Sequence, residues 1–432
     1  MLNKSKRFSI VFLALLSFSN QAFSLNLIRD AEIEESLSSI TRSISKHSQL
    51  HGDLSVYIVD DNKINAFTPG GNQIFINTGM ILKCKSYDMI AAVIAHEIGH
   101  MQSGHKISRR MNIENAQMLG AMGMLLSLGS IVATGASEGV FVGTLSGAEA
   151  MQRSVLKFSR DQEIAADVAG AQLLDKANLG YKGAIKVLES LKRYDKVMKD
   201  EYLSTHPFAS ERIKLYKGKQ SEGALDETLA FAYKMARSKT EAYTLPNKGV
   251  NELPLLKSNS PEDIYEKAII EYRNYRYADS LKNIEHLLKV KSNYAYFHEL
   301  KGMILFDSGK WLDGIAAMDR AIDLSKNPDL LKIQKALYLL SVYDKNRDKN
   351  NLNKAEKALL SINNENDIYY KHHLLARVYG KLGKSTSVEY HLAEMNFAIG
   401  NKERAKLHAQ KALKFKDLLS KYQKTRLKDF VE

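Results

Sequence analysis

Ile33, Leu37, Ile40 and Ile44 recur at intervals of three and four residues, and that spacing predicts an amphipathic helix over roughly residues 27–47. The period then changes. Leu54, Val56, Ile58 and Val59 predict one strand and Gln73–Asn77 another, with Pro69, Gly70 and Gly71 as the turn between them. Met89, Val93, His96 and His100 fall on one stripe of a second amphipathic helix, which Ser86 or Asp88 can cap and Gly104 can stop. A third helix is expected over about residues 159–175. Its start is open: Ser159-Arg160-Asp161-Gln162 fits a capping box, and the chain can equally be helical already from Ala148.

Between these helices, residues 116–137 carry no charge. Their length suits a membrane span, but Gly120, Gly123, Gly129 and Gly135 recur through them, and a buried helical hairpin near the functional site is the preferred reading. A polar stretch with Pro246, Pro254 and Pro261 reads as a linker, placed at 251–260. Beyond it a repeat begins. Ala268, Tyr277 and Leu281 are matched 34 residues later by Gly302, Trp311 and Ile315, which is the tetratricopeptide pattern of small residues and an aromatic at fixed positions. Looser copies follow near Ala336 and Ala355 and from Ala376 to Ala412. The fold class is therefore mainly α: an α+β domain with a small sheet over residues 25–250, then an all-α repeat domain over 261–432.

The first 24 residues read as a cleaved export signal: Lys4, Lys6 and Arg7, then apolar Phe8–Leu16, then Ala22-Phe23-Ser24. The single cysteine, Cys84, excludes an internal disulfide and a thiolate-built cofactor site, and is expected to be passive. The formal charge of +13, or +10 once the three basic residues of the signal are removed, suits anionic surfaces such as membrane headgroups, so peripheral membrane association is one expectation; because the lysines are spread along the chain, a soluble basic protein is the preferred reading. The lysines form no tight basic and aromatic cluster, so nucleic acid is not expected as a partner.

The candidate chemistry lies in Ala95-His96-Glu97-Ile98-Gly99-His100. Residues four apart share a helix face, so the H-E-x-x-H spacing lets two imidazoles converge on one ion, and zinc suits neutral imidazole. Glu97 is placed to take a proton from an attacking water and return it to a leaving amine. A third ligand is required from another element. Glu163 is the best candidate, and Asp167, four residues on, can fix a ligand histidine through its other ring nitrogen. The strand at 73–77 either offers its edge to an extended substrate, with Phe75 and Ile76 flanking the cleft, or is an ordinary core strand.

These motifs in this order resemble the gluzincin peptidases of the HtpX and CAAX-prenyl-protease superfamily, and within it the periplasmic branch that serves outer-membrane β-barrel assembly. Asn65-Ala66-Phe67 through Thr78-Gly79, Ser204-Thr205-His206-Pro207 through Arg212-Ile213, and the repeat domain all match that branch. The resemblance covers almost the whole chain after the signal. It implies a zincin-like peptidase domain holding one Zn²⁺ on His96, His100 and Glu163, with Glu97 as general base. It implies Asp167 as a supporting acid or proton donor. It places His206 near the metal, either stabilising an oxyanion or filling the open position at rest. Arg212 orients Glu163 or the loop, or pairs with a surface acid. The implied setting is the periplasm of a Gram-negative bacterium. The implied partners are unfolded or misassembled outer-membrane proteins and the barrel assembly machinery, recruited by the repeats. A chaperone whose peptidase activity is normally blocked is the alternative.

Overall fold

The computed structural model describes residues 26–104, 160–195, 206, 209–218, 223–224, 226–244 and 259–431. The expected export signal, the uncharged 116–137 segment and the 251–258 part of the linker lie outside the described residues.

The described residues open with a two-residue strand, β1 (Leu27–Ile28), where a helix was expected to have begun. Helix α1 (Ala31–Ser45) starts only after Asp30, whose side chain accepts from the backbone N–H groups of Glu32 and Ile33. An Asp in this role satisfies donors that the first turn leaves open. The sheet adds β2 (Ser55–Val59), β3 (Ala66–Phe67) and β4 (Gln73–Asn77) in the order β1-β2-β4-β3. β2 and β4 pair in parallel with Val56 opposite Ile74, while β1 and β3 pair antiparallel at the two edges.

A short helix α2 (Thr78–Lys83) leads to α3 (Tyr87–Gln102), which carries the H-E-x-x-H motif. The expected amphipathic stripe is not what the structure shows: every residue from Met89 to His100 is buried. Helices α4 (Arg160–Lys176) and α5 (Lys182–Asp195) cover α3 along with α1, so it is enclosed on all sides. Cys84 lies in the same core with its thiol pushed up by burial, a passive packing group.

After α6 (Ala209–Lys217), helix α7 (Glu227–Thr244) joins two cores: Tyr233 and Ala236 pack with the sheet and α3, and Met235 and Ala242 pack with the helices beyond it. Those helices run in pairs: α8 (Pro261–Arg273) with α9 (Tyr277–Val290), α10 (Ala295–Asp307) with α11 (Trp311–Leu324), α12 (Asp329–Asn346) with α13 (Lys349–Leu360), α14 (Ile368–Lys381) with α15 (Ser385–Ala398), and α16 (Lys402–Leu413) with α17 (Lys421–Val431). The first helices of the first three pairs start at Pro261, Ala295 and Asp329, 34 residues apart. Small residues set the spacing within a pair. A Cβ on Gly302 would stand 3.0 Å from the Gly314 carbonyl, and Ser280 Oγ donates to the Ala268 carbonyl at 2.7 Å.

The two halves interlock through α1. Ala31 packs with Ala295, Tyr296, Met318 and Tyr338. Glu35 accepts from Ser325 Oγ and from the backbone N–H groups of Lys326 and Asn327. Arg29 donates to Asp367 Oδ1 at 2.6 Å across 338 residues of sequence. Among the described residues no helix is long and apolar enough to cross a membrane.

Candidate metal centre

Two helices build the site by approaching unusually closely. A Cβ on Gly99 of α3 would lie 2.3 Å from the Ala166 carbonyl oxygen, and a Cβ on Gly170 of α4 would lie 3.1 Å from the Ala95 carbonyl. Glu163, Asp167 and Gly170 share one face of α4 by helical spacing. The contact at Gly99 therefore brings both carboxylates against His96 and His100.

The convergence is tight. His96 Nε2 and His100 Nε2 are 3.0 Å apart. Glu163 Oε1 is 3.2 Å from His100 Nε2, and Glu163 Oε2 is 3.5 Å from His96 Nε2. His206, just ahead of α6, sets its Nδ1 3.0 Å from Glu163 Oε1 and 3.3 Å from His96 Nε2. One donor atom from each of the four lies within 4.8 Å of all the others, and all four residues are buried. Imidazole nitrogens and a carboxylate at this spacing are a donor set for a borderline cation, and they fit one zinc ion.

Behind His96, Asp167 Oδ1 is 2.8 Å from its Nδ1, which leaves Nε2 turned to the shared centre. Arg212 of α6 clamps that carboxylate with two hydrogen bonds, Nε to Oδ2 at 2.7 Å and Nη2 to Oδ1 at 2.9 Å. It also reaches Glu163 Oε2 at 3.1 Å. Of the expected roles for Arg212, the contacts match the orienting one rather than a surface ion pair. Tyr216 Oη donates to Asp167 Oδ1 at 3.1 Å and completes this support. Its position four residues after Arg212 puts it on the same helix face, but a lone tyrosine gave no sign of the role in sequence.

The charges follow from these contacts. Burial opposes ionisation of Glu163, yet His206, His100 and His96 hold it far below the usual carboxylate range. Burial likewise opposes ionisation of Asp167, and Arg212 and His96 override it. Burial and the neighbouring His96 drive His100 down to about 2, so it is neutral and available as a ligand. Burial and Arg212 depress His96, but Asp167 and Glu163 lift it to about 9. Glu97 is fully buried, and among the described residues neither of its oxygens has a hydrogen-bond partner; burial raises its carboxyl, and His206 Nε2 lies 3.7 Å from Oε1.

The two residues expected to flank a substrate do not stand at an edge. Phe75 and Ile76 lie on β4, which is paired on both sides, opposite Phe67 and Ala66 of β3 and opposite Tyr57 and Ile58 of β2. Both are fully buried, and the Phe75 ring stacks between Tyr57 and Phe67 at 5.0 and 5.1 Å. β4 is a core strand, and the reading of these residues as cleft-lining is corrected: the edge on that side is β3. Of the histidines outside the motif, His372 meets His391 at 2.9 Å, but they recruit no third metal-ligating side chain among the described residues.

Residues 28–219 match peptidase family M48. The chain is 24% identical over 318 residues to the β-barrel assembly-enhancing protease of Escherichia coli, covering 70% of this chain and 64% of that protein. It is 27% identical over 175 residues to the protein of the same name from Yersinia pestis, covering 40% of this chain and 35% of the relative. It is 28% identical over 172 residues to the mitochondrial metalloendopeptidase OMA1 of Saccharomyces cerevisiae, covering 37% of this chain and 44% of the relative. The chain thus spans just under two thirds of the length of the first of these relatives.

Proposed function

We propose, for a chain whose residues 28–219 match peptidase family M48, that this protein is a zinc metalloendopeptidase. The observation that carries the reading is the meeting of His96, His100 and Glu163 around one centre beside the buried, unbonded carboxylate of Glu97. His96, His100 and Glu163 hold the ion. Bound there, zinc supplies the Lewis acidity that activates a water and polarises the scissile carbonyl. Glu97 takes the proton from the attacking water and delivers it to the leaving amine. Its raised carboxyl suits both halves of that cycle, because a shuttle works best when its proton affinity is near that of its partners. Asp167 keeps the proton of His96 on Nδ1, and Arg212 and Tyr216 keep Asp167 in place.

His206 supports a closed resting state. If His206 joined His96, His100 and Glu163 as a fourth donor to zinc, no position would remain for the water that catalysis needs. The closeness of His206 to the other three side chains supports, as a second reading, an assembly factor whose peptidase activity would be blocked until His206 withdrew.

The biological setting is read more broadly. The export signal at residues 1–24 and the likeness to proteins named for β-barrel assembly support a periplasmic location and clients among misfolded or misassembled outer-membrane proteins. The helical pairs from Pro261 onward, read as tetratricopeptide repeats, recruit the client or the assembly machinery. The division at 251–260 belongs to the same reading.

The test is Glu97→Gln. The variant keeps its zinc, and its cleavage of unfolded casein falls by at least ~10²-fold, the typical contribution of a positioned proton carrier. Equal cleavage by both forms removes Glu97 from the chemistry, and loss of zinc from the parent chain removes the metal reading.

A further inference from the structure

The C-terminal end of the helical array concentrates positive charge. Residues 401–432 hold ten Lys or Arg and four Asp or Glu, a net +6, against a net +2 for the whole of residues 261–400. Exposed apolar side chains concentrate there too. Among the described residues eleven large hydrophobics are exposed, and five of them, Phe397, Leu407, Phe415, Leu418 and Tyr422, fall at this end of the array.

The turn between α16 and α17 shows how this surface is made. It reads Lys414-Phe415-Lys416-Asp417-Leu418-Leu419-Ser420-Lys421-Tyr422. Leu419 is buried with Ala393, Ala412, Leu427 and Phe430, which pins the turn to the array. The Leu418 N–H donates to the Phe415 carbonyl at 3.0 Å across a 3₁₀ turn over Lys416–Leu418, which keeps the two residues one tight turn apart. Phe415 is 59% exposed, Leu418 74% and Tyr422 71%. Lys414, Lys416 and Lys421 alternate with them, all exposed and in no ion pair among the described residues.

We infer that this turn is a membrane-docking element that seats Phe415, Leu418 and Tyr422 in the headgroup region of an anionic phospholipid surface, with the surrounding lysines on its phosphates. The inference rests on none of the peptidase chemistry. Interleaved lysines and large apolar or aromatic side chains match such an interface in both charge and polarity. A second copy of the chain would bring like charge to the same patch. A soluble inorganic polyanion would use the lysines and leave Phe415 and Leu418 in water.

The experiment is co-sedimentation of the exported, zinc-loaded chain with vesicles at about 0.1 M salt, where exposed charges still act over ~10 Å. The chain sediments with vesicles of equimolar phosphatidylcholine and phosphatidylglycerol and not with phosphatidylcholine alone. Phe415→Ser with Leu418→Ser lowers the apparent affinity at least ten-fold, as does Lys414→Glu with Lys416→Glu, while casein cleavage and the thermal midpoint stay at parental values. Absence of binding to the anionic vesicles overturns the inference. So does binding that responds to the lysine changes and not to the apolar ones, which would make the patch a site for soluble polyanions.

Discussion

Asp167 Oδ1 stands 2.8 Å from His96 Nδ1, and the Arg212 guanidinium grips the same carboxylate, its Nη2 only 3.0 Å from that ring nitrogen. A ring held in this way keeps one tautomer and one direction, and its Nε2 becomes the better donor. Asp167→Asn keeps the shape and removes the charge that fixes the tautomer. Zinc affinity is expected to fall 10–100-fold, the usual range for such supporting groups, with the fold intact. Competition against a chromogenic chelator measures it. Unchanged affinity would reduce Asp167 to a partner of Arg212.

The contact at Gly99 is equally specific. Gly99→Ala would put a methyl carbon 2.3 Å from a backbone carbonyl, and backbone cannot rotate away as a side chain can. Helices α3 and α4 must part, which costs about 1–3 kcal/mol in overpacking alone and carries Glu163 away from the two imidazoles. The expected result is a lowered thermal midpoint together with zinc content well below one per chain. A variant that loses neither would show that the helices tolerate a wider spacing than the site needs.

Much of this was legible in the chain before folding. H-E-x-x-H fixes its own geometry once it is helical, and Glu163 with Asp167 needed only a second helix. β4 spans the residues read as a strand, because a short continuous run of β-branched and aromatic residues bounded by glycines is a local signal. What escaped is what partners decide. β1 and β3 have two residues each, too few for any period, and exist because β2 and β4 offer open edges. β3 in turn takes the edge that Phe75 and Ile76 were expected to present. The total burial of α3 depends on what packs around it. The bond from Arg29 to Asp367 joins segments with no common sequence pattern.

The position of His206 separates two roles by experiment. Its Nδ1 lies 3.0 Å from Glu163 Oε1, inside the ligand set, while its Nε2 is 3.7 Å from Glu97. If the histidine fills the open position at rest, His206→Ala raises casein cleavage several-fold while zinc is held less tightly, because one of four donors is gone. A fall in kcat with zinc affinity unchanged would instead assign His206 to the transition state.

Glu32 is expected to make the junction of the two halves sensitive to pH. Its oxygens accept from Tyr265 Oη of α8 at 2.6 Å and from Oη of Tyr294, the residue just ahead of α10, at 2.7 Å. Lys239 of α7 lies 3.5 Å away, itself shared with Asp30 and Glu299. Burial is the largest influence and raises the Glu32 carboxyl; Lys239 lowers it, Asp30 raises it, the two hydroxyls lower it, and the balance stands at about 7. In the unfolded chain the group returns to its ordinary value of 4.5. The folded protein therefore binds the extra proton between these values, and stability from Glu32 is complete below pH 4.5 and lost as pH rises through 7. A shift of this size corresponds to ~3 kcal/mol between the limits. Glu32→Gln mimics the protonated form at every pH. The difference in thermal midpoint between the variant and the parent should thus move in the variant's favour by a few degrees from pH 5 to pH 8. Differential scanning calorimetry at both values decides it: a difference that stays flat would mean that Glu32 keeps one protonation state across the range, with Lys239 and the two tyrosines holding it ionised.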